Sequence, residues 1–102
     1  MAGSSPSRKA LTPSEVQAGL TDLDGWSYED DKLHRTYEFG SFREAVSFLM
    51  RIAFEAEDLN HHPELFNVYS TVRIALTTHD AGNKVSPIDL ELARRIEKIA
   101  WI

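Results

Sequence analysis

The chain has 102 residues, of which 42% are hydrophobic and 26% charged, values typical of one folded domain and not of a disordered chain. Its formal net charge of -5 gives no general attraction to phosphate backbones or anionic lipid, so we expect no direct contact with nucleic acid or a membrane. Without cysteine it can form no disulfide, thiolate nucleophile or cysteine zinc site. No apolar run is long enough for a signal peptide or membrane span, and we expect a cytoplasmic protein.

The N-terminal part of the chain predicts a tail followed by a helix. Residues 1–10 are rich in serine, alanine and glycine, which indicates a flexible tail, and residues 11–102 are expected to form a single domain. Thr12, a proline and Glu15 have the spacing of a capping box with proline at the first helical position. We expect this helix to end between residues 22 and 25, where aspartate and glycine occur.

A β-hairpin and a longer helix are predicted next. Residues 26–28 and 32–39 read as strands that turn at residues 29–31. Ser41 and Glu44 repeat the capping box, and Pro63 must stop the helix that follows. Apolar residues recur along it with a 3.6-residue period, at Phe42, Ala45, Val46, Leu49, Ile52 and Ala53.

The strongest strand signal lies between residues 66 and 79, where β-branched and aromatic residues dominate. The run is either two strands broken near Ser70 and Thr71 or one long bent strand. Alternation directs one set of side chains toward the helices, namely Val72, Ile74 and Leu76. The other set includes Arg73 and His79, so we expect His79 on the open face of the sheet.

A last helix is predicted to begin at Ser86-Pro87 and to run to the C-terminus, with one apolar face formed by Ile88, Leu92, Ile96 and Ile99. The element order is therefore α-β-β-α-β-β-α. It predicts an α+β two-layer domain, in which three helices cover one face of a four-stranded antiparallel sheet. The other face is left for a site or a subunit interface.

Three of the four histidines lie within about twenty residues. Glu57 and His61 are four apart near a helix end, so we expect their side chains to meet. The helix dipole and Glu57 then favour the imidazolium form of His61, which suits a general acid. His62 precedes Pro63 and should point elsewhere. The plainer alternative is a histidine that only satisfies the last helical carbonyls.

A metal site is the second alternative, with Glu57, His61 and His79 as two histidines and one carboxylate. The spacing of known metal motifs such as HExxH is absent, and a metal site of this kind would assign no function to His62. We therefore expect no metal.

Three segments together resemble the pterin-4a-carbinolamine dehydratase family. They are Glu57 followed by His61-His62-Pro63, then Phe66-Asn67-Val68-Tyr69, and finally Leu76-Thr77-Thr78-His79-Asp80-Ala81-Gly82. The resemblance implies the same element order and the dehydration of 4a-hydroxytetrahydrobiopterin to quinonoid dihydropterin in tetrahydrobiopterin recycling. It implies histidine acid/base catalysis and no cofactor.

The resemblance also implies residue roles. His61 and His79 would be the leading acid/base groups, His62 would bind the ring or orient its hydroxyl, and Glu57 would hold the histidine pair. The further residues expected to bind the pterin are Asn60, Pro63, Thr78, Asp80, Ala81 and Asp89. Asp89 is matched to a family aspartate across a loop one residue longer than usual, and it is equally well a plain helix-start carboxylate.

Two positions depart from animal members of the family, with Leu65 where tryptophan is common and Asn60 where aspartate is common. Family members form homodimers or homotetramers, so we expect a homo-oligomer. Animal members also act as dimerisation cofactors of a transcription factor, and a non-catalytic binding role is the alternative function. The presence of Glu57 and all three histidines favours the enzyme.

Overall fold

The computed structural model describes residues 6–101, and it has the expected order of elements. Their bounds are α1 Pro13–Gly19, β1 Ser27–Glu29, β2 Lys32–Glu38, α2 Phe42–Leu59, β3 Glu64–Val68, β4 Thr71–Leu76 and α3 Pro87–Ile99. A single 3-10 turn at His79–Ala81 precedes α3. Residues 1–5 of the predicted tail, and Ile102, lie outside the described part. Among residues 6–101, no helix has both the length and the apolar character needed to cross a membrane.

The four strands form one antiparallel sheet in the order β1-β2-β4-β3. The predicted alternation in β4 is confirmed, since Val72, Ile74 and Leu76 are buried whereas Arg73 is exposed. The buried face joins a continuous core with side chains of the two long helices, which include Phe48, Ile52, Ile88, Leu92 and Ile96. This confirms the α+β fold with its antiparallel sheet.

The predicted hairpin is present, the β-rich run forms a second one, and both turns contain residues with positive φ. Asp30 and Asp31 connect β1 to β2 with φ angles of 54° and 60°, as in a tight two-residue turn. The β-rich run is two strands, because Tyr69 takes a φ of 53° and reverses the chain before Ser70. The alternative of one long bent strand is wrong.

The capping predictions are largely confirmed. Thr12 and Glu15 form the full box, with distances of 3.2 Å and 2.8 Å. Ser41 Oγ accepts from the Glu44 N–H at 3.1 Å, but the Glu44 carboxylate accepts from the N–H of Gly40 and not from that of Ser41. α1 ends at Gly19, earlier than expected, because the turn after it brings Leu23 into the core.

The predicted apolar stripe of α2 is partly wrong. The buried residues are Ala45, Phe48, Ile52, Ala56 and Leu59, whereas Phe42 and Ala53 are exposed. The helix also ends before Pro63 requires it to end. Asn60 adopts the left-handed conformation, with a φ of 51°, and this conformation terminates the helix after Leu59. The end of α2 sets the direction of the two histidines that follow.

Tyr37 is a buried phenol beside a carboxylate. It donates to Glu97, which also accepts from the indole N–H of Trp26 at 2.9 Å. Burial, followed by the hydrogen bond to Glu97, raises the pKa of Tyr37 well above its ordinary value of 10.0. The native state therefore holds the phenol proton more tightly than the unfolded chain does.

A raised pKa of this kind gives a stability that is complete below the unfolded value and is lost at higher pH. We expect the free energy of unfolding to fall as the pH rises above about 10, and to fall less steeply in Tyr37→Phe. At neutral pH this variant should be about 1 kcal/mol less stable, because it lacks the hydrogen bond. Urea denaturation across this range tests the expectation, with Tyr28→Phe as the control, since the Tyr28 hydroxyl makes only a long hydrogen bond of 3.4 Å to Asp31. Parallel pH profiles for wild type and Tyr37→Phe would contradict it.

Candidate active site

A cleft of about 400 Å³ opens where the connection from α2 to β3 faces the connection from β4 to α3. Its size is suited to a small heterocyclic ligand. Its lining residues are Arg8, Asn60, His61, His62, Pro63, Glu64, Thr77, Thr78, His79 and Asp80. Most of the residues expected to bind a pterin are therefore brought together, although Glu57, Ala81 and Asp89 are not among those that line the cleft.

His61 is buried and points toward the start of α3. The left-handed turn at Asn60 takes His61 off the helix, and its side chain is only 6% exposed. Its Nε2 lies 2.5 Å from Oδ1 of Asp89, which is fully buried. The expected pairing of His61 with Glu57 is wrong, because the helix ends too early to keep the two residues on one face.

Asp89 is surrounded by hydrogen-bond donors. Its Oδ2 accepts from Oγ1 of Thr78 at 2.7 Å and from the backbone N–H of Ser86 at 3.0 Å. The Thr78 and Ser86 hydroxyls are themselves 2.6 Å apart. Because the carboxylate also faces the N-terminal end of the α3 dipole, the negative charge is well compensated without solvent. Asp89 is therefore a helix-start carboxylate, and it also makes a direct contact with His61.

Arg8 covers the opposite side of His61. Its Nη2 donates to the carbonyls of Leu59 and Asn60, at 3.0 Å and 2.9 Å, and its Nη1 lies 3.4 Å from Nδ1 of His61. A guanidinium group has only donors, so Nδ1 of His61 is the acceptor. From this network we assign the ring proton of His61 to Nε2, which donates to Asp89. Both ring nitrogens of His61 are thus occupied.

His62 points away from its neighbour, as expected for the residue before a proline. Its side chain is 64% exposed, and its Nε2 lies 3.1 Å from Oε1 of Glu57. Glu57 therefore contacts the second histidine of the pair and not the first.

His79 does not lie on the open face of the sheet, and that expectation is wrong. β4 ends at Leu76, and Thr78 is drawn inward by its hydrogen bonds to Ser86 and Asp89. His79 then begins the 3-10 turn, where its Nδ1 lies 2.7 Å from Oδ1 of Asn83. Since the amide oxygen only accepts, Nδ1 is the donor, and among the described residues nothing is hydrogen-bonded to Nε2.

The triad considered as a metal site is not assembled, since Glu57 contacts His62 and His61 contacts Asp89. In the part of the chain that the structure describes, no group of three or more histidine or carboxylate side chains is arranged to bind a metal ion. The sequence reasoning missed the roles of Arg8 and Asn83. No local pattern could have revealed Arg8, which is 53 residues from His61.

Comparison with known proteins relates this chain to one family. The family model for pterin 4 alpha carbinolamine dehydratase matches residues 9–99. A relative in Opitutus terrae, named after this dehydratase, is 60% identical over 92 residues, which are 90% of this chain and 95% of the relative. A relative of the same name in Solibacter usitatus is 43% identical over 90 residues, covering 88% of this chain and 94% of the relative.

A solved structure gives the same result for the fold. It is described as a transcriptional coactivator/pterin dehydratase from Brucella Melitensis, and it superposes with a TM-score of 0.86 at 39% identity. The likeness covers 90% of this chain and 99% of that one. The chain therefore belongs to the pterin 4 alpha carbinolamine dehydratase family, a family of hydro-lyases.

Proposed function

We propose that this protein dehydrates 4a-hydroxytetrahydrobiopterin to quinonoid dihydropterin, as a step of tetrahydrobiopterin recycling in the cytoplasm. The observation that carries the proposal is the pair of exposed imidazoles, His62 and His79, in one cleft of a chain that belongs to this family. Each of the two rings has one nitrogen bonded to a neighbouring side chain.

The reaction needs one proton delivered and one proton removed. The bond between C4a and its hydroxyl breaks, and the leaving oxygen takes a proton from a general acid to depart as water. The lone pair of the adjacent ring nitrogen forms the new C=N bond, and that nitrogen gives its proton to a general base. Two positioned histidines can supply both functions.

The geometry favours His62 and His79 for these proton transfers. Both nitrogens of His61 are occupied by Asp89 and Arg8, so His61 would have to break a contact to exchange a proton with a ligand. In His79 the bond from Nδ1 to Asn83 leaves Nε2 as an acceptor. We propose that His61 holds the site together, whereas the resemblance alone implied that it leads the catalysis.

The remaining residues of the site are proposed to bind the pterin. Asn60 and Pro63 edge the cleft on one side, and Thr78 and Asp80 on the other. Ala81 follows in the same 3-10 turn as Asp80, so its backbone can extend that edge. Backbone and side-chain donors and acceptors of this kind match the amide-like edge of a pterin ring.

Stopped-flow absorbance tests the proposal directly. The 4a-hydroxytetrahydropterin is generated in the syringe, and its decay is followed with and without the wild-type protein in the presence of a chelator. We expect a rate that rises in proportion to enzyme concentration above the spontaneous decay. A folded protein that leaves the spontaneous rate unchanged would overturn the proposal.

We also propose a homo-oligomer. β3 is an edge strand, and it and its turn expose several apolar side chains, namely Leu65, Phe66, Val68 and Tyr69. An edge of this kind is suited to pairing with a second copy. Sedimentation equilibrium is expected to give the mass of a dimer or tetramer, and Phe66→Glu is expected to weaken the assembly. A monomeric wild type at micromolar concentration would contradict this.

A binding role with a transcription factor is the second proposal. It is favoured by exposed apolar side chains on α2, namely Phe42, Met50 and Phe54, and by the description of the Brucella structure as a coactivator. Loss of partner binding in Phe54→Ser with unchanged dehydration would support it. If the wild type does not dehydrate the pterin, the binding role is favoured as the main function.

A further inference from the structure

The N-terminal segment before α1 crosses the cleft end of α3. The carbonyl of Ser7 accepts from the N–H of Ile88 at 3.1 Å, and the N–H of Leu11 donates to the carbonyl of Val85 at 2.8 Å. These two bonds fix the backbone on either side of Arg8. Although Arg8 belongs to the segment predicted as a tail, its side chain is thereby directed at the buried histidine.

The Arg8 guanidinium contacts three consecutive residues, Leu59, Asn60 and His61. The carbonyls of Leu59 and Asn60 lie where α2 ends and carry the partial negative charge of its dipole, which favours a cation there. The planar fork of arginine reaches several acceptors at once, and the ammonium group of lysine cannot reproduce that geometry. Arg8 thus binds the turn that presents the histidine pair.

We propose that Arg8 is a positioning residue for the reaction, which holds the turn from Leu59 to His62 and keeps the proton of His61 on Nε2. The inference rests on the proposed dehydratase function for its effect on rate. Arg8 contacts Nδ1 of the His61 imidazole and Asp89 contacts its Nε2, so the ring is held in one orientation. The backbone of His62 follows directly, and its place in the cleft depends on that fixed ring.

The kinetic test compares Arg8→Met and Arg8→Lys with the neighbouring Lys9→Met. Lys9 is exposed, and its backbone N–H donates to Ser7 Oγ, so Lys9→Met removes one positive charge without changing a contact of the site. We expect kcat to fall about tenfold in both Arg8 variants, because a tenfold change in rate corresponds to the loss of one charge-assisted hydrogen bond. We expect KM to stay within about twofold of wild type. Lys9→Met should match the wild type.

Three kinetic outcomes would overturn the inference. Full activity in Arg8→Lys would mean that only the positive charge matters, as in attraction of a substrate. A rise in KM with unchanged kcat would make Arg8 a group that binds the ligand. Faster turnover in Arg8→Met would show that the arginine obstructs the cleft.

A second measurement does not depend on activity. Nitrogen NMR of the ligand-free protein distinguishes the two ring nitrogens of His61, and we expect a protonated Nε2 and an unprotonated Nδ1 in the wild type. In Arg8→Met the Nδ1 resonance should shift, because it has lost its donor, whereas Lys9→Met should leave it in place. An unchanged resonance in Arg8→Met would overturn the inference. If Arg8→Met shows this shift but the wild type does not dehydrate the pterin, the proposed function alone is contradicted.

Discussion

Replacing His79 or His62 by glutamine is expected to lower kcat for pterin dehydration by about 10²-fold or more, the usual contribution of one general acid or base. Glutamine keeps a polar side chain of similar reach but cannot exchange a proton near neutral pH. Because both side chains are exposed, neither substitution opens a cavity, and the thermal midpoint should change little. Stopped-flow kinetics and thermal denaturation of each variant measure the two effects separately.

The matched control is His34→Gln, which removes the histidine that lies on β2 outside the cleft. Its Nε2 contacts the backbone carbonyl of Glu29 within the β1–β2 hairpin, so it should affect neither binding nor rate. Loss of activity in His34→Gln, with full activity in His79→Gln, would place the reaction elsewhere on the molecule. It would remove the basis for assigning the proton transfers to the cleft.

Replacing Asp89 by alanine is expected to have the largest effect on stability. The carboxylate is fully buried and accepts from His61, Thr78 and the backbone of Ser86. Its removal leaves these donors without their buried carboxylate partner, and breaking a buried charged network costs about 3–5 kcal/mol. Since a small domain is stable by only about 5–15 kcal/mol, the variant should be close to unfolding at 37 °C.

Urea denaturation at 15 °C measures the free energy of unfolding of Asp89→Ala against wild type. Asp58→Ala is the matched control, because Asp58 is 70% exposed and pairs with Arg95 on the surface. A surface pair of that kind contributes at most about 1 kcal/mol. Asp89→Asn should lie between the two, since the amide keeps one acceptor. A loss of less than 1 kcal/mol in Asp89→Ala would show that the network contributes little to the fold.

Local chemistry explains why much of the fold could be predicted from the sequence. Thr12 and Glu15 satisfy backbone groups within their own turn, so their spacing alone specifies a helix start. The burial of alternate residues in β4 follows from the pleat of the strand, and needs no knowledge of what covers it. The family resemblance likewise depends on short segments, and two of the three contribute residues that line the cleft.

The arrangement of the site could not be predicted in the same way, because it depends on contacts between distant segments. His61 contacts Asp89, which is 28 residues away in the sequence, and Arg8, which is 53 residues away. The expected pairing of Glu57 with His61 assumed a helix that continues to Pro63, and the left-handed Asn60 ends it sooner. His79 leaves the sheet because Thr78 is held by the buried network, which strand alternation does not include.

The dehydration rate of wild type beside the double variant His62→Gln/His79→Gln tests the central claim most directly. Both proteins are mixed with freshly formed 4a-hydroxytetrahydropterin in the presence of a chelator, after circular dichroism has shown that both are folded. We expect strong acceleration by wild type and a rate near the spontaneous decay for the double variant. Wild-type acceleration that persists in the double variant would contradict the assignment of the chemistry to these two histidines.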